Sequence, residues 1–369
     1  MQPETSLLLR LAAGWPQQRP LLLINPPDAT ADYFGLPLSG VLHDRFDQYQ
    51  RWANAQSDTL PVWFATHLER AQMPPSAVVI VFLPKGKARL QAQLQWLAAA
   101  APGLEIVLIG ALKAGIKSAN KLLSLHCHQV RKLDAARHCQ ALVGTLQQPE
   151  DKPEDEFDSL YAHWQMNAAE FTPAGDDAAG DTQALPELTI TTLPGVFASG
   201  HLDAGSRLLL ETLIAAQSRL PRSGALLDYG CGCGVLSAVM HRLLPKFTVN
   251  AVDADAWALE AARKTLSDSK QISVQPSASA SDITGSYELI ISNPPFHRQF
   301  QHTTTITASF LQQLPQLLSR HGQCWLVANR FLPYERMLTT TGLSFEQASS
   351  TREFKILRIE HTAVKPYHR

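Results

Sequence analysis

No run in the 369 residues approaches the roughly 20 consecutive apolar positions that a membrane-spanning helix needs. The opening MQPETSLLLRLAAGWP holds only three leucines between Glu4 and Arg10, too few for a secretory leader. Cysteine is scarce and odd in number, five in all, two of them inside a glycine-rich stretch. That excludes a disulfide scaffold and predicts reduced thiols in a cytoplasmic protein. Zinc signatures are missing too: His126-Cys127-His128 and His138-Cys139 fit none of the usual spacings, so no metal is expected. What is present is a 45% hydrophobic fraction with 18% charged residues, which excludes a wholly disordered chain. At about 100–200 residues per domain, two domains are expected.

The net charge of −1 hides an asymmetry. Residues 150–187 carry eleven Asp/Glu and one Lys; residues 1–149 carry fourteen Lys/Arg and nine Asp/Glu; residues 188–369 carry seventeen and thirteen. Two mildly basic domains, 1–149 and 188–369, are thus expected on either side of an acidic linker, 150–187. Its Pro, Gly, Ala and Asp content predicts a spacer that is at least partly flexible. Within it Phe157, Tyr161 and Trp164 recur at helical spacing, predicting a short docked helix. Residues 85–138 hold nine Lys/Arg against Glu105 and Asp134, a face that is either simply solvated or meets a polyanion.

The C-terminal part alternates. LTITTL (188–193), ALLDY (225–229), FTVNAV (247–252), ISV (272–274), YELIIS (287–292) and CWLVAN (324–329) read as strands. SRLLLETLIAAQSRL (206–220) and DAWALEAARKTL (255–266) read as helices, which predicts a parallel sheet covered on both faces. The N-terminal part repeats the rhythm, with strands at 21–24, 78–83 and 105–110 and a helix at 87–100. The overlay of the two halves predicts a duplication.

Three motifs in the C-terminal half carry chemistry. Asp228-Tyr229-Gly230-Cys231-Gly232-Cys233-Gly234 places glycines on every second residue between a buried strand and a helix. Glycine tolerates positive φ and lets backbone approach a ligand closely. The spacing is not the dinucleotide G-x-G-x-x-G, and alone it could serve only as a turn. Asp253 ends the next strand, about 20 residues on, where a carboxylate accepts both hydroxyls of a ribose. The alternative for Asp253 is a helix cap, a task that Asp255 can take instead. Asn293-Pro294-Pro295-Phe296 follows YELIIS. The prolines fix φ, the Asn oxygen and a proline carbonyl accept from an amino group, and Phe296 stacks on a planar ring. Such a site suits methylation of a conjugated exocyclic or amide nitrogen. Asn25-Pro26-Pro27-Asp28 is an internal control: it lacks both the aromatic residue and a glycine loop, so N-P-P alone is a strand-end turn.

LLDYGCGCGVLS, VDADAWALEAARKTL, ELIISNPPFH, LVANRFLPY and FKILRI together resemble the ribosomal RNA small-subunit guanine-N2 methyltransferases, the RsmC type. LPGVFASGHLDAGSRLLLETL resembles that family's lead-in, and residues 83–123 resemble its N-terminal domain. The resemblance implies two class I, Rossmann-like α/β methyltransferase domains in tandem, the first a degenerate duplicate that binds RNA and braces the second. It implies S-adenosylmethionine as cofactor, with Gly230, Gly232 and Gly234 along its methionine part, Asp228 at its amino group and Asp253 at its ribose. Asn293, Pro294, Pro295 and Phe296 become the catalytic residues, and 16S ribosomal RNA in the small subunit the partner of a monomeric enzyme. Two departures stand out. The adenine-contact region is PSASASD, with only Asp282 as an acid, and Arg298-Gln299 follow NPPFH where a glycine is expected. The alternatives are the same chemistry on 23S ribosomal RNA, methylation of a protein glutamine or of DNA adenine, and a ribosome assembly factor with vestigial catalysis.

Overall fold

The computed structural model describes residues 1–15, 19–55, 59–149, 157–166, 187–197, 200–294 and 300–362. The chain divides into two compact units, Met1–Tyr161 with Leu193–Gly195, and Ala162–Thr192 with Val196–Arg369. The first contains strands β1 (Leu21–Ile24), β2 (Leu38–His43), β3 (Val62–Phe64), β4 (Val78–Phe82), β5 (Glu105–Ala111), β6 (Cys127–Ala136) and β7 (Cys139–Leu146). Its helices are α1 (Pro3–Ala12), α2 (Phe46–Ala55), α3 (Lys87–Ala100) and α4 (Ile116–His126). The second opens with a hairpin of β8 (Ala162–Met166) and β9 (Leu188–Thr192), paired antiparallel. Its main sheet contains β10 (Gly224–Tyr229), β11 (Phe247–Asp253), β12 (Ile272–Pro276), β13 (Tyr287–Ser292), β14 (Leu318–Asn329), β15 (Leu343–Ser350) and β16 (Phe354–His361). The helices are α5 (Ala204–Ala215), α6 (Val235–Leu243), α7 (Ala256–Thr265), α8 (Phe300–Leu317) and α9 (Tyr334–Leu338).

The two seven-stranded sheets run β3-β2-β1-β4-β5-β7-β6 and β12-β11-β10-β13-β14-β16-β15, the same order position for position. The expected duplication is therefore visible as topology. Neither sheet is wholly parallel, contrary to the sequence expectation: β16 pairs antiparallel with β14 and β15, and β7 with β5 and β6. β6 and β15 are exposed over much of their length, whereas β7 and β16 are mostly buried but interrupt their apolar residues with polar ones or glycine. The central strands are apolar because both faces are covered. Leu226, Leu227, Leu289, Ile290 and Ile291 are all fully buried, and each such side chain contributes about 1.5–3 kcal/mol.

Two further corrections concern the linker and its flanks. The helix expected around Phe157, Tyr161 and Trp164 is a single 3-10 turn, Asp158–Leu160, followed by β8. Phe157 stacks on His67 (centroids 4.0 Å apart), and β8 takes its backbone partners from β9, so no helical ladder forms. LTITTL is a strand, but of this hairpin and not of the main sheet. Most of the acidic stretch lies outside the described residues.

In the first unit Arg89 is buried and holds Asp44 (Nη1 to Oδ2, 3.2 Å), while its Nε donates to the Pro194 carbonyl oxygen at 3.1 Å. Arg89 thus does not belong to the basic face expected for residues 85–138. Arg89→Ala should destabilise the protein by about 3–5 kcal/mol, because a buried pair is broken. Arg19→Ala, whose partner Glu105 lies at the surface, should cost at most about 1 kcal/mol. Urea denaturation checks both; equal midpoints for the two variants would contradict the assignment.

Candidate active site

In the second unit the strand order reverses at β10, which pairs with both β11 and β13. In doubly wound sheets ligands bind beyond the strand C-termini at such a point. Register brings the motifs together there. Asp228 lies level with Ala251, two residues before Asp253, and with Ile291, two residues before Asn293. Asp228, Asp253 and Asn293 therefore stand on three neighbouring strand ends.

The glycine loop turns tightly behind Asp228. Gly230, Gly232 and Gly234 have φ of 78°, 55° and 83°, a region that glycine enters without strain. A Cβ at Gly230 or Gly232 would meet nothing within 4 Å, so their faces look onto open space. Gly234 differs: a Cβ there would come within 3.0 Å of the Leu266 side chain, so it also lets α6 pack closely. The loop donors go mostly to the end of β11. Gly230 and Cys231 donate to the Val252 carbonyl oxygen, and Gly232 donates to Asp253 Oδ2 at 3.0 Å. Cys231 and Cys233 are buried, and burial holds both thiols above their usual range.

Asp228 is fully buried. Its Oδ2 accepts from the backbone N–H (3.1 Å) and the hydroxyl (2.6 Å) of Ser237 in the first turn of α6. Among the described residues its Oδ1 is buried without a partner. Burial first, and then the nearby charge of Asp253, push its carboxyl up from 3.8 to about 7, against the lowering effect of Ser237. Asp253 Oδ1 also accepts from the Asp255 N–H (2.9 Å), and Asp255 caps α7 through Trp257 N–H at 3.0 Å. The helix cap is thus Asp255, leaving Asp253 to brace the glycine loop. Asp282 Oδ2 takes the N–H groups of Ala278 and Ser279 (2.8 and 3.1 Å), so it closes its own turn.

Asn293 is partly buried and Pro294 buried; Pro295, Phe296, Arg298 and Gln299 lie outside the described residues. Asn293 Nδ2 donates to Asp203 Oδ1 and Ser206 Oγ. Sequence reasoning missed Asp203, Ser206 and Ser237. Asp203-Ala204-Gly205-Ser206 before an apolar run signals a helix start and nothing more, and Ser237 carries no signal at all.

The residues present fit S-adenosylmethionine. A buried carboxylate oxygen without a partner suits an ammonium, glycines open onto a cleft, and a second carboxylate stands at the adjacent strand end. Among the described residues no group of three or more His, Cys, Asp or Glu is gathered as for a metal, and no helix is long and apolar enough to cross a membrane.

Comparison with known proteins follows the same division. Residues 187–358 match the Methyltransferase small domain, and residues 6–159 its N-terminal companion domain. Ribosomal RNA small subunit methyltransferase C of Cronobacter sakazakii is 31% identical over 358 residues, 96% of each chain. The enzyme of that name from Aeromonas hydrophila is 36% identical over 285 residues, 77% of each. The chain belongs to the ribosomal RNA small subunit methyltransferase C family. In fold it is similar to the T. thermophilus 16S rRNA N2 G1207 methyltransferase in complex with AdoMet and guanosine (TM-score 0.75, 23% identity, 98% of this chain and 92% of that one). It is an S-adenosylmethionine-dependent methyltransferase.

The Asp228 carboxyl sets a pH dependence. Between about pH 4 and pH 7 the folded protein keeps a proton that the unfolded chain has lost, so stability falls as pH rises through that window. An arriving ammonium favours the carboxylate, so cofactor binding should release a proton there and tighten as pH rises to about 7. Calorimetry near pH 6 in buffers of different ionisation enthalpy should show the release, and Asp228→Asn should abolish it. Heats independent of buffer would contradict this assignment.

Proposed function

We infer that the protein transfers a methyl group from S-adenosylmethionine to the exocyclic N2 of a guanine in 16S ribosomal RNA. The observation that carries this reading is the meeting of Asp228, Asp253 and Asn293 at one sheet edge in a member of this family. When bound, the cofactor supplies an electrophilic methyl group. Asp228 Oδ1 would accept from its ammonium, and Asp253 would hold its ribose hydroxyls. Asn293 Oδ1 and the Pro294 carbonyl accept the N–H groups of the guanine amine. They aim its lone pair at the methyl and stabilise the positive charge that develops on nitrogen. A guanine stacked in a helix is out of reach, so the base is flipped out and stacks on Phe296. In our reading the enzyme is a monomer that works in the cytoplasm on the small subunit.

With labelled cofactor and small subunits from cells lacking the protein, label should appear on N2 of one 16S guanine. Asn293→Ala should lose about 10²–10³-fold in turnover, by analogy with loss of an oxyanion-hole group, with cofactor affinity little changed. Label in 23S RNA only, or wild-type turnover in the variant, would defeat the reading.

The first unit keeps the topology without the site. Where the second has its glycine loop, Asn25 (φ 55°) accepts the Asp44 N–H, and Asp28 accepts from Gln2 N–H and Thr5 Oγ at the start of α1. His43 occupies the position matching Asp253, and Asp44, one residue further on, is held by Arg89 and Gln93. Leu83-Pro84-Lys85-Gly86 stands where Asn293 does. This unit, in our reading, takes no cofactor and grips RNA. Lys113, Lys117 and Lys121 are exposed, and Lys117 lines a groove with Asn120, Arg131 and Lys132. Changing the three lysines to Glu should weaken RNA binding and flatten its salt dependence by about 0.7–0.9 per lost phosphate contact. Cofactor affinity should stay unchanged, at one molecule per chain. An unaltered slope would leave these lysines as an ordinary solvated face.

A further inference from the structure

The carboxamide of Asn293 is held from behind by the first turn of α5. Its Nδ2 donates to Asp203 Oδ1 at 3.1 Å and to Ser206 Oγ at 2.9 Å. Asp203 Oδ1 is itself fixed, because it accepts the N–H groups of Gly205 (3.0 Å) and Ser206 (3.2 Å) as the N-cap of α5. A carboxylate only accepts, whereas a carboxamide has one donating and one accepting end. Asp203 therefore forces the nitrogen end of Asn293 toward α5 and turns the oxygen end away from it. Gly205 makes the approach possible. A Cβ there would lie 3.1 Å from Val327 Cγ1, 3.2 Å from Asp203 Oδ1 and 3.3 Å from Asn293 Nδ2. Helix capping alone does not require Asn293 at this turn.

We propose that Asp203 and Ser206 are positioning residues of the methyl-transfer site, locking the Asn293 carboxamide with its oxygen toward the acceptor amine. The proposal rests on the role of Asn293 given above. Without the lock the amide samples both flips, and in one of them an N–H faces the N–H groups of the guanine amine. The amine is then repelled and its lone pair is no longer aimed.

Two substitutions test it in the full chain. Asp203→Asn keeps a good N-cap but can donate as well as accept, so the orientation of Asn293 is no longer forced. Ser206→Ala leaves the cap intact and removes one acceptor. Turnover at saturating small subunit and S-adenosylmethionine should fall about tenfold in each and about 10²-fold in the double variant, as for a misplaced reacting group. The dissociation constant for S-adenosylmethionine, the KM for the subunit and the thermal midpoint should stay within about twofold or a few degrees of wild type. In an Asn293→Ala background Asp203→Asn should have no further effect, because the two act as one unit. Wild-type turnover in both variants would overturn the proposal, as would a loss matched by cofactor affinity or by the thermal midpoint. Wild-type turnover in Asn293→Ala would instead defeat the underlying role of Asn293, so the two failures are distinguishable.

Discussion

The proposed site is organised around a buried carboxylate that no cation among the described residues neutralises. Among the described residues Asp228 bonds Ser237 with one oxygen and leaves the other without a partner. Burying such a group is costly unless donors surround it, and the raised carboxyl pKa records the cost. Part of it is offset by placement. The Ser237 N–H belongs to the first turn of α6, where unsatisfied donors and the helix dipole favour negative charge. This bond also dictates the path of the chain. Five residues must turn α6 back onto the strand that precedes it, and the three positive φ values at Gly230, Gly232 and Gly234 are how the backbone does so.

The remaining parts of the site are fastened to that turn. Asp253 takes the Gly232 N–H, tying β11 to the loop. The Ser292 hydroxyl donates to the Tyr229 carbonyl oxygen at 2.7 Å, tying the end of β13 to the residue just after Asp228. Asn293 follows Ser292 directly, so the cofactor side and the acceptor side share one support. Methyl transfer needs the two reactants in line and close together, and side chains on adjacent strand ends are steadier than any on loops.

The sequence made the centre of each sheet legible and left the edges obscure. Central strands such as Leu226–Tyr229 and Tyr287–Ser292 are buried on both faces and read as continuous apolar runs between turns. β6 and β15 carry exposed faces, β16 breaks its apolar residues with Lys, Arg and Glu, and β2 and β3 are short or only half-buried, so composition hid them. Aromatic spacing misled at Phe157–Trp164, since side-chain periodicity says nothing of which backbone partner is available. Asp228, Asp253 and Asn293 were legible because their residue types sit at strand ends in order. Ser206 and Asp203 were not, because a capping turn looks the same whether or not it also holds a catalytic amide. Phe296 rests on the sequence pattern alone.

One topology with two outcomes shows what such a sheet edge requires in order to work. Strands β2 and β11 match and each brings a carboxylate beside the turn, Asp253 as the last residue of β11 and Asp44 one residue past the end of β2. Beside Asp253 the turn is glycine, whose backbone N–H braces the acid while open space remains in front. Beside Asp44 the turn is Asn-Pro-Pro, with an Asn side chain bound to the Asp44 backbone and Arg89 on the carboxylate. An internal cation does permanently what a ligand does reversibly: it satisfies a carboxylate that is costly to leave buried. In the first unit the Asp44 carboxylate is thereby paired from within the protein. The second leaves Asp228 Oδ1 without a partner among the described residues, and the proposed ammonium would fill that place.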